Sequence, residues 1–256
     1  MRADFQNKKP QPKSDSVNSI IYGRNSVLEA LKSKQPIEKI YFSNSVKRET
    51  IGAIFSLAKE QKIPISEAAM EKFQKAGLRD VSHQGIYAII SPVTYTTLED
   101  FIETAPKESC IAILDELEDP HNIGAIIRSA EIFGFNAVIL PFQNSAPITQ
   151  TVVKSSAGAI FHIPIIKVGN LNKCIEDLKV AGFWIYGLEA NGENLTPELK
   201  LNFPIGIVVG SEGKGLRPLI RKNCDSVLSI QQKGKINSLN ASVAAGIIFW
   251  EVSKRL

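Results

Sequence analysis

The sequence predicts an α/β protein in two parts, a C-terminal parallel sheet with helices on both faces and a smaller α/β unit before it. Three observations carry this. From Cys110 onward, short and nearly continuous apolar runs recur with helical stretches between most of them, the pattern of strands buried on both faces. Between residues 19 and 92, short strands and amphipathic stretches alternate over a length suited to one small domain. A polar segment, 94–108, divides the two and reads as a linker.

Taken in order, residues 1–18 hold Lys8, Lys9 and Lys13 with two prolines, and predict a disordered basic tail rather than a signal peptide. The first unit, 19–93, has strands at Ser19–Tyr22, Lys39–Phe42, Ile63–Ile65 and Gly85–Ile90. Its helices fall at Asn25–Ser33, Glu49–Gln61 and Ala68–Lys75. Within the linker, Leu98, Phe101 and Ile102 have the spacing of a helical turn. The second unit, 109–256, has strands at Ile111–Leu114, Ala137–Leu140, Pro164–Ile166, Phe183–Tyr186, Ile205–Val209 and Val227–Ile230. Leu171–Ala181 and Ala241–Lys254 are helical.

At 256 residues the chain can bury a substantial core, and no apolar run approaches the roughly 20 residues of a membrane helix. Cys110, Cys174 and Cys224 are scattered and form no CxxC pair, which argues against zinc and a disulfide framework and for reduced thiols in the cytoplasm. Charge is uneven: residues 1–90 carry 15 Lys/Arg against 9 Asp/Glu, while the remainder is slightly acidic. That asymmetry suits a polyanionic partner for the first unit, or an ordinary surface with a basic tail.

Three polar clusters stand out, each close behind a strand, where ligands of parallel sheets bind. In the first, Pro120-His121-Asn122 opens a helix that stops at Gly134, and Asn122 fits an N-cap. Ile123, Ile126, Ile127 and Ala130 make its buried face. Arg128 lies about 100° beyond Ile127, free to point into a cleft or into water. The second cluster, Gly210-Ser211-Glu212-Gly213-Lys214-Gly215, allows close backbone approach to a ligand, with Glu212 placed to orient a neutral or cationic partner. A plain tight turn explains it equally well. It is no P-loop, because Leu216 follows Gly215, and no GxGxxG follows the first strand. The third, Asn237–Ser242, is more polar than helix capping by Ser238 or Asn240 requires. Behind it Ala241, Ala244, Ala245 and Gly246 form a face suited to close packing.

Taken together, Asn122-x-Gly124-x-x-x-Arg128, Gly210-x-Glu212-Gly213-x-Gly215 and Ser238-Leu239-Asn240-x-Ser242-x-Ala244-x-Gly246 resemble, in order, the three motifs of the SpoU-TrmH family of RNA ribose 2′-O-methyltransferases in the SPOUT superfamily. Residues 20–90 also resemble that family's ribosomal-protein-like RNA-binding extension, through Tyr22-Gly23-Arg24-Asn25-Ser26-Val27, Glu29-Ala30-Leu31 and His83-Gln84-Gly85-Ile86. The bacterial subgroup that methylates a guanosine of large-subunit ribosomal RNA is the most similar.

The resemblance implies a C-terminal sheet tied in a trefoil knot, S-adenosyl-L-methionine as cofactor, and a homodimer whose site draws on both copies. It places Gly210, Ile230 and Leu239 on the cofactor, with the Leu188 loop nearby. Asn122, Arg128, Glu212, Ser238 and Asn240 take the catalytic and substrate-orienting positions, and no metal is needed. The family proposal makes Arg128 the base. A guanidinium, with five donors and no acceptor, suits a softer role, anchoring phosphate and stabilising the developing alkoxide while water or phosphate takes the proton. Transfer RNA is the rival substrate, and a non-catalytic RNA-binding assembly factor or an unrelated nucleotide-binding enzyme are the rival classes.

Overall fold

In the computed structural model, residues 19–256 are described except Pro92, Pro197, Glu212 and residues 235–237, so the basic tail and Glu212 lie outside the described residues. Ten strands among these residues form two sheets. The first is β1 (Ser19–Tyr22), β2 (Ile37–Ser43), β3 (Ile65–Ala68) and β4 (Ile86–Ile90), in the order β1-β4-β2-β3. Alternation along these strands gives the sheet two apolar faces. Ile21, Ile40, Ile86 and Ala88 share a cluster with Val27 and Leu31 of α1 (Arg24–Lys32) and Ile54 and Ala58 of α2 (Gly52–Glu60). On the other face Tyr22, Tyr87 and Tyr41 stand in register across three strands, beside Phe73 of α3 (Met70–Lys75).

The third strand lies later than Ile63–Ile65. Lys62 takes a positive φ of 57° in the turn leaving α2, and the Pro64 carbonyl accepts from Ile40 N at 2.9 Å, so the β2–β3 register starts at Ile65. The helix after it begins at Met70, not Ala68, because Ala68 is still paired with Ser43. The second helix likewise opens as a 3₁₀ turn, Arg48–Ile51.

The second sheet has six parallel strands, β5 (Cys110–Leu114), β6 (Ala137–Pro141), β7 (Ile165–Val168), β8 (Trp184–Asn194), β9 (Ile205–Val209) and β10 (Ser226–Ser229). Their order is β10-β8-β9-β5-β6-β7. The near-continuous apolar runs have the expected cause, since β5, β6 and β9 are buried throughout. One face packs on α5 (Pro120–Ile132), α6 (Gln150–Ser155) and α9 (Ala241–Ser253). The other packs on α4 (Leu98–Thr104), α7 (Leu171–Val180) and α8 (Pro218–Asn223). The segment read as a linker thus contains α4, capped by Thr97 Oγ1 at 3.1 Å from Asp100 N, with Leu98 and Phe101 buried in that second cluster.

The two units share one continuous apolar cluster. Lys154 of α6 pins them further: its Nζ donates to the Ser82 carbonyl at 3.1 Å and lies 4.8 Å from the Tyr22 ring centre. His83, next to it, has its pKa lowered by burial and by the Lys154 charge, and its Nδ1 accepts from Gly85 N at 2.9 Å. Gly158, at φ 91°, brings the chain so close to α1 that a Cβ there would lie 2.5 Å from Glu29 Cβ.

Helix α5 carries the first polar cluster, and its cap corrects the sequence reading. Asp119, not Asn122, is the N-cap, accepting from His121 N at 2.9 Å, with Pro120 at the first helical position. Asn122 is buried one turn in. Gly134 takes the left-handed stop at φ 75°. Gly124 lets α6 approach: a Cβ there would sit 1.8 Å from Ser155 Oγ and 2.8 Å from the Val152 carbonyl oxygen. Because Val152 offers backbone that cannot rotate aside, Gly124→Ala should destabilise the fold by about 1–3 kcal/mol. Urea unfolding, read as a lower midpoint at unchanged slope, measures it.

Candidate functional site

Parallel strands deliver their C-terminal ends and following loops to one edge, and here the far part of β8, two loops and a helix mouth enclose a cavity of about 430 Å³. Leu188 to Asn191 form one side from β8, and Val209, Gly210, Ser211, Gly213, Lys214 and Gly215 form another from β9. Ile230, just after β10, and Ser238, Leu239, Ala241 and Ala244 at the start of α9 complete it. Gly210, Ile230, Leu239 and Leu188, the positions implied for a cofactor, therefore line one cavity together with Ser238.

The loop after β9 folds back tightly. Gly215 N donates to the Ser211 carbonyl at 3.0 Å, and a Cβ on Gly210 would meet Gly215 C and O at 2.4 Å. Side chains distant in sequence fasten the loop. Asp115, wholly buried behind β5, accepts from Arg217 N at 2.9 Å and from Arg217 Nε and an Nη at 2.7 Å. Glu116, at φ 55°, adds a second carboxylate 3.3 Å from Arg217. Such a two-pronged pair fixes geometry, and although Arg217 is part-exposed, removing it would strand the buried Asp115 charge. Glu189 accepts from Leu216 N at 3.3 Å and pairs with Arg221 at 2.9 Å. Sequence reading missed Glu189 and the Asp115–Arg217 clamp. The acidic loop 115–119 was the signal available for the clamp, whereas Glu189 sits in a polar strand extension with no motif around it.

At the mouth of α9, Asn240 is the N-cap, with Oδ1 accepting from Ser242 N at 3.0 Å, Val243 N at 3.2 Å and Ser242 Oγ at 2.6 Å. Its amide Nδ2 donates to Asn122 Oδ1 at 3.0 Å, joining the first cluster to the third. Ala245 is buried where α9 meets α5, and Gly246 stands opposite Ser129 there, where an added Cβ would lie 3.5 Å from Ser129 Oγ. Arg128 is not in this cavity. Six residues beyond Asn122, it lies about 9 Å further along α5 and about 120° round it. It faces a second groove, between α5 and α1.

What the cavity can do follows from its walls. Leu188, Ile230, Leu239 and Ala244 give apolar surface, and glycine-rich backbone and Ser238 give hydrogen-bonding groups. Among the described residues no histidine or cysteine lines it. Burial pushes the thiols of Cys110, Cys174 and Cys224 up to about 12, so none supplies a thiolate at neutral pH. Among the described residues no cluster of His, Cys, Asp and Glu is fit to hold a metal, and no helix is long and apolar enough to cross a membrane.

Known proteins share this architecture. The SpoU rRNA methylase family matches residues 109–250, and the RNA 2′-O ribose methyltransferase substrate-binding family matches residues 20–96. A protein of Staphylococcus epidermidis assigned to the TrmH family of tRNA/rRNA methyltransferases is 41% identical over 239 residues, 92% of this chain and 95% of its own length. The crystal structure of the SpoU methyltransferase AviRb from Streptomyces viridochromogenes, in complex with AdoMet, has TM-score 0.76 at 21% identity, covering 92% of this chain and 89% of that one. An AdoMet-bound rRNA methyltransferase from Sinorhizobium meliloti has TM-score 0.76 at 22% identity, covering 93% and 87%. The two family matches fall on the two units described above, and the methylase match spans every loop of the cavity. The chain belongs to the SpoU-TrmH family of RNA methyltransferases.

Proposed function

We propose that the protein transfers a methyl group from S-adenosyl-L-methionine to a ribose 2′-hydroxyl of RNA, that of a guanosine in the peptidyl-transferase region of 23S rRNA. The observation carrying this is the single cavity in which the far part of β8 and the loops after β9 and β10 meet the mouth of α9. Its volume suits a ligand of cofactor size. Its apolar walls suit a flat heterocycle, and the close Gly210–Gly215 approach leaves backbone polar groups accessible. Glu189 also lies at the wall, its carboxylate held by Arg221 and Leu216 N, so it braces the loop after β9.

When bound, S-adenosyl-L-methionine supplies an electrophilic methyl group on a sulfonium. The residues of this chain align the attacking ribose, and alignment alone contributes several kcal/mol. Ser238, Asn240 and Asn122 orient it through hydroxyl and amide groups, with Glu212 placed by its motif. Arg128 holds the adjoining phosphate and stabilises charge developing on the 2′-oxygen. With that methyl donor bound, the hydroxyl proton would pass to water or phosphate rather than to the guanidinium, which has five donors and no acceptor.

Arg128 lies outside its own chain's cavity, so a homodimer that sets it against the other copy's cavity completes the site. Support comes from α9, where Val243, Ile247 and Trp250 at i, i+4 and i+7 are 50%, 37% and 49% exposed, an apolar stripe on a helix already buried on its other side. Trp250→Glu should convert a dimer to monomer in light scattering at micromolar concentration and remove activity with it. A variant that stays dimeric would place the interface elsewhere.

Ribosomal RNA is favoured over transfer RNA by the folded first unit, with its substrate-binding match and its net positive charge, and we place the enzyme in the cytoplasm with that substrate. Deleting the gene and mapping 2′-O-methyl groups should show loss of one guanosine methyl from 23S rRNA. Loss from a transfer RNA instead would overturn the ribosomal assignment.

A further inference from the structure

The second groove has a volume of about 410 Å³ and draws its walls from both units: Asn25 and Glu29 of α1, Arg128 and Glu131 of α5, and Ser156 and His162 beyond α6. Its polar groups divide into two sets. Glu29 is engaged, bonded to His162 Nε2 at 3.1 Å and to Lys32 Nζ at 2.8 Å. Asn25, Arg128 and Glu131 have no side-chain hydrogen bond or ion pair among the described residues, although all three face one groove. Arg128 and Glu131 are three residues apart, so their Cβ atoms lie about 5–6 Å from each other on adjacent turns, yet they do not pair with each other.

A carboxylate beside a position that holds RNA phosphate is repelled unless it meets hydrogen-bond donors. Unstacked RNA bases present such donors along their Watson–Crick edges. Only guanine sets two N–H groups, N1 and N2, side by side there, the pair that the two oxygens of one carboxylate accept. An amide such as Asn25 both donates and accepts, and so fits the neighbouring O6 or a sugar hydroxyl. We propose that this interdomain groove reads the base of the nucleotide being methylated, with Glu131 accepting from guanine N1 and N2, Asn25 closing the opposite side, and Arg128 holding the same nucleotide's phosphate. The inference rests on the methyltransferase reading above. It assigns base choice to a residue outside the three sequence motifs, and it explains why the first unit is docked on α5 and α6 through Lys154, since that docking is what brings Asn25 to the groove.

The test uses the full-length protein and a transcript spanning the guanosine that the wild-type enzyme methylates, alongside the same RNA with inosine at that one position, which removes the N2 donors. Wild type should prefer guanosine by about tenfold in kcat/KM, the scale of one well-placed base contact. Glu131→Gln should bring that preference within twofold while binding S-adenosyl-L-methionine as wild type does, and Asn25→Ala should raise KM for both RNAs. Glu131 makes no hydrogen bond or ion pair among the described residues, so unchanged thermal unfolding of Glu131→Gln serves as the control. A Glu131→Gln enzyme that keeps the tenfold preference, or a wild type that methylates both RNAs equally, overturns base reading and leaves the methyltransferase reading standing. A wild type that methylates no RNA overturns both.

Discussion

Arg128→Ala is expected to lower the rate of methyl transfer by about 10²–10³-fold, the usual cost of removing a group aimed at charge that develops in the transition state. The affinity for S-adenosyl-L-methionine should stay within about twofold, because Arg128 lines no part of its own chain's proposed cofactor cavity and is proposed to act at the other copy's through the RNA phosphate. Stability should also hold. The side chain is exposed and makes no ion pair among the described residues, and such surface positions change stability by about 0.5 kcal/mol or less. Arg128→Lys separates the two contributions of the guanidinium, keeping the charge and losing the planar fork that meets phosphate at two points. An intermediate rate with weakened RNA binding is expected in single-turnover transfer of labelled methyl. Wild-type rate and RNA affinity in Arg128→Lys would remove Arg128 from both the base role and the phosphate-anchoring role.

The elements that were legible in the sequence are those whose signal is local. The apolar runs of β5, β6 and β9 are buried on both faces wherever they are placed, and the Ile123, Ile126, Ile127 and Ala130 stripe of α5 faces the core as its period requires. Gly134 and Asn240 act through their own dihedral angles and side chains, and both stand at helix ends as read. Tertiary contacts decide the rest. Strand β8 runs on to Asn194 because Leu228 and Ser229 of β10 pair with Glu193 and Asn194, after a register shift between Val227 and Leu228. Nothing in the composition of residues 189–194 asks for a strand. The cap of α5 was open to a better reading, since Asp119 followed by Pro120 is a stronger start signal than Asn122.

The site was legible in the same uneven way. Convergence of the second and third clusters follows from parallel topology, which sends their loops to one edge. The departure of Arg128 from that edge follows from helix geometry, since six residues cannot place it beside Asn122 on one face. The Asp115–Arg217 clamp joins residues 102 apart in sequence, so the acidic loop 115–119 signalled only one half of it, and the interdomain groove, which joins α1 to α5, had no local signal.

Gly210→Ala is expected to abolish cofactor binding while leaving the fold in place. The added Cβ would lie 2.4 Å from both the carbonyl carbon and the oxygen of Gly215 and 2.8 Å from Leu216 N, and all three are backbone atoms with no rotamer to escape into. The 210–217 loop would have to open, breaking the Gly215 N–Ser211 carbonyl bond and the Leu216 N–Glu189 bond that set the shape of the cavity wall. Overpacking of this kind costs about 1–3 kcal/mol of stability, whereas binding loses both the wall and its backbone donors. A rise in Kd of at least about 100-fold, equivalent to about 2.7 kcal/mol, should appear in calorimetric titration with S-adenosyl-L-methionine. Gly213→Ala is the matched control. Its φ is 80°, but a Cβ there meets nothing within 4 Å, so it carries only the left-handed backbone penalty of about 1–2 kcal/mol. Binding should therefore weaken far less in Gly213→Ala than in Gly210→Ala. If the two variants lost affinity equally, backbone conformation rather than the close Gly210–Gly215 approach would be what shapes the cavity. If Gly210→Ala bound the cofactor as wild type does, the loop after β9 would not be its wall.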